Sequence, residues 1–262
     1  FLSRLLCAII QDYLNKIKTE RILGWGKDFD EEKLTEMINR RVRIEKIAIK
    51  DVKLRTFITQ DSSRDEMVQH VYDIAYGTVK KNTDTLVVID DSIVRGTTLK
   101  QSIIRMLSRL SPAKIIIVSS APQIRYPDCY GIDMSKMGDF VAFRAAIALL
   151  KERKMENLLS DVLEQCRELQ RNNKLHTENL VRKIYQPFTA EEVAGKIAQL
   201  ITPEDIKIPV QVIYQTIETL HESCPHNKGD WYFTGNYPTS GGNRVCNKAF
   251  MNFMEGKNVR GY

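Results

Sequence analysis

Two adjacent carboxylates, Asp90 and Asp91, close a short run of branched apolar residues, Leu86 to Ile89, and lead directly into Ser92, Ile93, Val94, Arg95, Gly96, Thr97 and Thr98. A carboxylate pair at the carboxyl end of a strand lies where open parallel sheets bind ligands. It offers acceptors for sugar hydroxyls or ligands for a hard cation. The seven residues that follow have the composition of a phosphate cradle. Backbone N–H groups at a helix N-terminus attract anions, Gly96 allows close backbone approach, and Thr97 and Thr98 add hydroxyl donors. Acids beside such a cradle suit a ribose 5-phosphate. Taken singly the parts are less specific. A strand ending in two acids also suits a site that acts on phosphate directly, and a glycine before a helix is common.

These residues need a strand, a turn and a helix to hold them. Leu86, Val87, Val88 and Ile89 read as a strand buried on both faces. A helix is expected from about Thr97 to Leu110, with Leu99, Ile103, Met106, Leu107 and Leu110 on one face. Ser111 and Pro112 end it, and Ile115 to Val118 forms a second buried strand. Strand, helix and strand within this span make a βαβ unit, so a parallel sheet with a right-handed crossover is expected. Upstream, helices are expected over residues 5–20 and 30–41, the second opened by Asp28 or Asp30. A short strand is expected within Ile44 to Val52, a loop over 54–64 and a helix from about Arg64 to Lys81. Downstream, helices are expected over Asp139–Lys151, Glu156–Gln170 and 189–200, the last with a capping box from Thr189 and Glu192. The tail from His226 to Tyr262, rich in Gly, Asn and aromatics, reads as irregular packed structure. The composition shift near residue 150 suggests a core, 1–150, and a largely helical extension, 151–262.

Bulk properties narrow the classes. The 262 residues are 43% hydrophobic and 27% charged, as in globular proteins. No apolar run approaches the ~20 residues of a membrane span, and no secretory signal is recognisable at the start. Five cysteines without short spacing suit reduced thiols and a cytoplasmic setting rather than a disulfide framework. The net charge of +6 reads as a solvated surface. Arg40, Arg41, Arg43, Lys46, Lys50, Lys53 and Arg55 cluster, but Glu45 and Asp51 interrupt them. A small polyanionic substrate accounts for the cluster as well as nucleic acid does.

The full string LVVIDDSIVRGTT, Leu86 to Thr98, resembles the 5-phosphoribosyl-1-pyrophosphate (PRPP) signature of type I phosphoribosyltransferases. Three more segments narrow the resemblance to the glutamine PRPP amidotransferase family: LRTFI (Leu54 to Ile58), SSAPQIRYPDCYGIDM (Ser119 to Met134) and FTGNYPT (Phe233 to Thr239). That family makes the first committed step of purine synthesis, forming 5-phosphoribosylamine from PRPP and glutamine-derived ammonia. The resemblance implies an α/β fold with a mainly parallel sheet flanked by helices. It assigns Asp90 and Asp91 to the ribose hydroxyls and the Mg²⁺ chelated by PRPP. It assigns Ser92 to Thr98 to the 5-phosphate. It makes Arg55, Thr56, Phe57 and Ile58 part of a mobile loop, with Phe57 and Ile58 lining a passage for ammonia; simple core packing is the other reading of that apolar pair. Arg55, Asp90 and Asp91 are the catalytic candidates. The resemblance further implies purine nucleotide inhibitors and a homo-oligomer, with no nucleic acid or membrane partner.

The sequence departs from the family in three respects. The family opens with a glutaminase half whose nucleophile is an N-terminal cysteine, whereas this chain opens with Phe1, and Cys7 sits on an expected helix. The family's first core strand and pyrophosphate loop are not recognisable in residues 1–53, so the sequence looks like the C-terminal portion of a longer enzyme. Some members carry an iron–sulfur cluster. Here Gly229, Tyr232 and Asp128 stand at ligand positions, with Cys129 displaced by one, so no cluster is expected. Two other readings keep the signature: a non-catalytic PRPP-sensing regulator, for which no helix-turn-helix is visible, and another type I transferase, against which the FTGNYPT and CYGIDM segments argue.

Overall fold

The computed structural model describes residues 2–26, 30–44, 48–50, 72–74, 77–129, 134–226, 229–257 and 259–261. The chain divides into two compact units, one of residues 1–53 and 72–78, the other of the remainder.

In the first unit, α1 (Leu2–Gly24) and α2 (Glu31–Asn39) are joined by side-chain to backbone bonds. Lys18 Nζ donates to the Ile38 carbonyl at 3.0 Å, and the Val42 N–H donates to Gln11 Oε1 at 2.9 Å. Asp30 opens α2 by accepting the Glu32 N–H at 3.0 Å, as an N-cap should. Two short strands, β1 (Ala48–Lys50) and β2 (Tyr72–Ile74), pair antiparallel. The strand at 72–74 replaces the end of the helix expected over 64–81. The apolar residues there fit a strand pairing that only a partner segment can impose, and Gly77, at φ 92°, turns the chain after it.

The second unit holds a three-stranded parallel sheet in the order β3 (Thr85–Asp90), β4 (Lys114–Ser119), β5 (Val210–Tyr214). Branched residues dominate all three strands, and alternation decides their faces. Leu86, Ile115, Ile117 and Val212 are buried on one face. On the other, Val87 is 52% and Ile213 42% exposed. The expectation that β3 is buried on both faces is therefore corrected. It is an edge strand of the described sheet, and only its inward row is covered.

Between β3 and β4, a π-helical segment, Leu99–Ile103, runs into α3 (Ile104–Ser108). The Ile104 N–H donates to the Leu99 carbonyl, five residues back. The wide turn shifts the apolar stripe by one position. Leu99, Ile104, Leu107 and Leu110 are buried, so Ile104 takes the place expected of Ile103.

The largest buried cluster lies further along, among α4 (Val141–Glu152), α5 (Asn157–Arg171), α6 (Arg182–Tyr185) and α10 (Ser240–Met254). Phe140, Phe143, Leu150, Val162, Cys166, Ile184 and Phe250 are at its centre. α4 runs through residue 150, and β5 joins the sheet from beyond it. α10 also corrects the irregular tail. Gly241, Gly242 and three asparagines disguise a helix whose Val245, Cys246, Ala249 and Phe250 are all buried. Gly242 is required there because a Cβ would stand 2.4 Å from the Tyr237 ring. α7 (Ala190–Ile201) carries the expected capping box: Thr189 Oγ1 accepts the Glu192 N–H at 3.2 Å, and Glu192 Oε2 accepts the Thr189 N–H at 2.8 Å. The remaining helices, α8 (Ile217–Ser223) and α9 (Trp231–Thr234), are short. No helix among the described residues is long and apolar enough to cross a membrane.

Candidate functional site

The carboxyl end of the sheet is a row of polar residues. Asp90 of β3 is in register with Ser119 of β4, and Ser119 with Tyr214 of β5. Ser119 and Tyr214 follow the buried Ile117 and Val212 by two positions, and Asp90 is in register with Ser119, so the three side chains leave the sheet on the covered face. The acids stand at the edge of this row. Asp90 Oδ1 accepts the Asp91 N–H at 3.1 Å, and Asp91 Oδ1 accepts the Ser92 N–H at 2.8 Å. The Ser120 N–H and Oγ both donate to the Asp90 carbonyl, at 2.9 and 3.1 Å, which fixes the strand end. Burial, then the adjacent Asp91 carboxyl, hold Asp90 above the usual carboxylate range, against the lowering effect of its bond from the Asp91 N–H. Two carboxyls in such proximity repel each other, and a cation or a hydroxyl donor relieves the repulsion.

The loop from Ser92 to Thr98 is held from behind. Ile93 is buried at 3% exposure. The Val94 carbonyl accepts the Val141 N–H at 2.8 Å, and the Arg95 carbonyl accepts Arg144 Nη2 at 2.5 Å. The Arg95 guanidinium pairs with Asp139 at 3.1 Å. Gly96 has φ 72°, in the left-handed region, and a Cβ added there would lie 2.7 Å from Ile201 Cγ2. Its glycine is thus demanded by backbone conformation and by packing against α7. The expected role, room for a phosphate, is a separate matter that this packing does not require. The helical turn after it begins with the Lys100 N–H donating to the Gly96 carbonyl at 3.0 Å. Thr97 and Thr98 remain exposed.

Asp90, Asp91 and Ser92 to Thr98 therefore form one continuous strand end, loop and helix start. Arg55, Thr56, Phe57 and Ile58 lie outside the described residues. Residues missed by sequence reasoning are Ser119, Ser120 and Tyr214. The VQVIY run of β5 carried a strand signal, but only the pairing with β4 brings Tyr214 level with the acids. The Tyr214 hydroxyl is buried and meets no hydrogen-bond partner among the described residues. Burial first, and then the charge of Asp90, push its phenol upward. A cavity of about 1180 Å³ runs along the outer edge of β5, lined by α7 and by Gln123, Arg125 and Tyr214. The acids do not line it, so its size is no argument about their chemistry.

Asp128 and Tyr232, two of the positions that the family resemblance would make cluster ligands, do meet. The Tyr232 phenol hydrogen-bonds to the Asp128 carboxylate and is raised by burial and by that charge. The Tyr232 carbonyl accepts the Arg125 and Tyr126 N–H groups at 2.8 and 3.1 Å. Among the described residues, no three or more His, Cys, Asp or Glu side chains gather as a metal site.

The chain is similar in part to known proteins. Over 58 residues, 22% of the chain, it is 47% identical to an amidophosphoribosyltransferase of Pasteurella multocida, covering 11% of that protein. Over 87 residues, 31% of the chain, it is 34% identical to an amidophosphoribosyltransferase of Saccharomyces cerevisiae, covering 17% of it. Among solved structures it is similar to a glutamine PRPP amidotransferase from B. subtilis complexed with ADP and GMP, at 22% identity and a TM-score of 0.40. That likeness covers 74% of this chain and 32% of the other. No family model matches the chain. The stretches matched are a minor part of the curated relatives' length.

Proposed function

We propose that this chain is the phosphoribosyltransferase portion of an amidophosphoribosyltransferase, forming 5-phosphoribosylamine from PRPP and glutamine-derived ammonia. The observation that carries the reading is the acid pair at the end of a parallel strand, continuous with a loop that opens a helix. The partial identity to curated amidophosphoribosyltransferases supports it.

In this reading Asp90 and Asp91 accept hydrogen bonds from the ribose hydroxyls, and the backbone of Ser92 to Thr98 receives the 5-phosphate. The same two carboxylates fit Mg²⁺, which is commonly held by one or two carboxylates with phosphate oxygens and water completing its shell. The raised Asp90, beside a like charge, is a site that a cation stabilises. What bound Mg²⁺ supplies is neutralisation of charge on the leaving pyrophosphate. The protein's own task is positioning: it holds the sugar by its hydroxyls and its phosphate, leaving C1 open to an amine, and it needs no nucleophile of its own. Closure by Arg55, Thr56, Phe57 and Ile58, with an ammonia passage beside the last two, belongs to the same proposal, as do purine nucleotide inhibitors, a homo-oligomer and a cytoplasmic setting.

Calorimetric titration with PRPP and Mg²⁺ tests the site. Asp90→Asn and Asp91→Asn are each expected to weaken binding on the order of tenfold or more, the loss typical of hydrogen bonds to charged groups. Circular dichroism should stay unchanged, because both acids stand at a strand end rather than in the core. Unchanged affinity in both variants would remove the assignment.

A further inference from the structure

Tyr214 is a member of the strand-end row that neither the signature nor its spacing suggests. It stands at the end of β5, in register with Ser119, which is in register with Asp90. Strands in a sheet lie ~4.8 Å apart, so Tyr214 and Asp90 start roughly 10 Å apart on the same face. A phenol is long enough to reach across the strand between them. Its hydroxyl is buried and unpaired in the arrangement described, whereas buried polar groups are nearly always hydrogen-bonded. A phenylalanine would fill the same space without that cost, so packing does not explain the hydroxyl.

We infer that Tyr214 is a positioning residue for the site: its hydroxyl serves the Asp90 carboxylate as a hydrogen-bond donor and sets where that carboxylate meets a ligand. Three observations favour Asp90 as the partner. Ser119, which lies between them, spends its one O–H on the Ala121 carbonyl at 2.8 Å and offers only a neutral oxygen, a weaker acceptor than a carboxylate. Asp90 Oδ1 accepts the Asp91 N–H, and a carboxylate has further lone pairs to offer. The charge of Asp90 is felt at the phenol. Direct contact of the hydroxyl with a ligand is disfavoured because the atom is enclosed. The pairing requires a rotamer change of the kind that commonly accompanies binding. The inference rests on the proposed reading of Asp90 as a ligand-holding residue.

The test is a double-mutant cycle on the full 262-residue chain, with Tyr214→Phe, Asp90→Asn and the two combined. It is read twice, by ribose 5-phosphate affinity with Mg²⁺ present and by urea unfolding without ligand. Tyr214→Phe is expected to weaken ribose 5-phosphate by about three- to tenfold when Asp90 is present, and by clearly less in the Asp90→Asn chain, whose neutral amide oxygen is the weaker acceptor. A merely structural tyrosine would weaken both chains equally, and that additivity would overturn the inference. If the unmutated chain takes no ribose 5-phosphate, the proposed function falls. The inference falls with it, because the pair forms on binding; the urea cycle is the folding control, and its two effects are expected to add.

Discussion

The sharpest constraint at the scale of single residues is Gly96. Its positive φ disfavours any side chain by ~1–2 kcal/mol, and a methyl there meets Ile201 at 2.7 Å. Gly96→Ala is therefore expected to lower stability by about 2 kcal/mol or more in urea unfolding. Adding Ile201→Ala should recover the steric part and leave the backbone part. If Gly96→Ala alone unfolds at the unmutated midpoint, the loop does not have the conformation described. The glycine itself stood out in the sequence as part of a phosphate cradle. Its packing against α7 was not legible, because residue 201 lies over a hundred positions away.

At the scale of elements, the start of α7 shows local sequence logic holding to the last bond. Thr189 and Glu192 cap each other, and Arg153 Nη2 adds an ion pair to Glu192. Thr189→Ala is expected to cost about 1 kcal/mol in thermal unfolding. Glu192 is held below its ordinary value of 4.5, first by the Thr189 N–H and then by Arg153. A lowered carboxyl contributes stability above its unfolded value and loses it as pH falls through the folded one. Melting followed from neutral pH into acid should therefore show a smaller acid-side loss in Glu192→Gln, and an identical loss would mean that Glu192 is not engaged in solution. α10 is the contrary case. Its glycines and asparagines are poor helix formers, yet burial of Val245, Cys246, Ala249 and Phe250 overrides them. Gly242→Ala is expected to destabilise by roughly 1–3 kcal/mol, because the methyl has no room beside Tyr237. A melting temperature equal to that of the unmutated chain would show that Tyr237 packs elsewhere.

For the molecule as a whole, the expectations concern metal and activity. Tyr232 and Asp128 engage each other, and neither offers a thiolate for an iron–sulfur cluster. The purified protein is expected to be colourless, and stoichiometric iron in a metal assay would contradict that. No stretch of the 262 residues resembles a glutaminase. Assayed by itself, the chain should yield no product from PRPP and glutamine, and at most a trace with concentrated ammonium. Loss of one stabilising donor to a transition-state charge commonly costs ~10²- to 10³-fold. Robust glutamine-dependent turnover would show that its source of ammonia has been misjudged.

The sequence by itself determined what is local. The acids, the loop and the helix start are contiguous, so the order Asp90 to Thr98 already contained their juxtaposition, and the strands beside them were visible as branched apolar runs. Caps such as Asp30 and Thr189 act within three residues and were equally legible. Tertiary structure decided everything that depends on distant partners. It turned residues 72–74 into a strand, moved the buried helix position from Ile103 to Ile104, and ordered α10 against its own propensities. It also brought Tyr214 into the row of Asp90 from 124 positions away. Strand pairing and burial reward residues for the neighbours they meet, and no spacing along one chain states which neighbours those are.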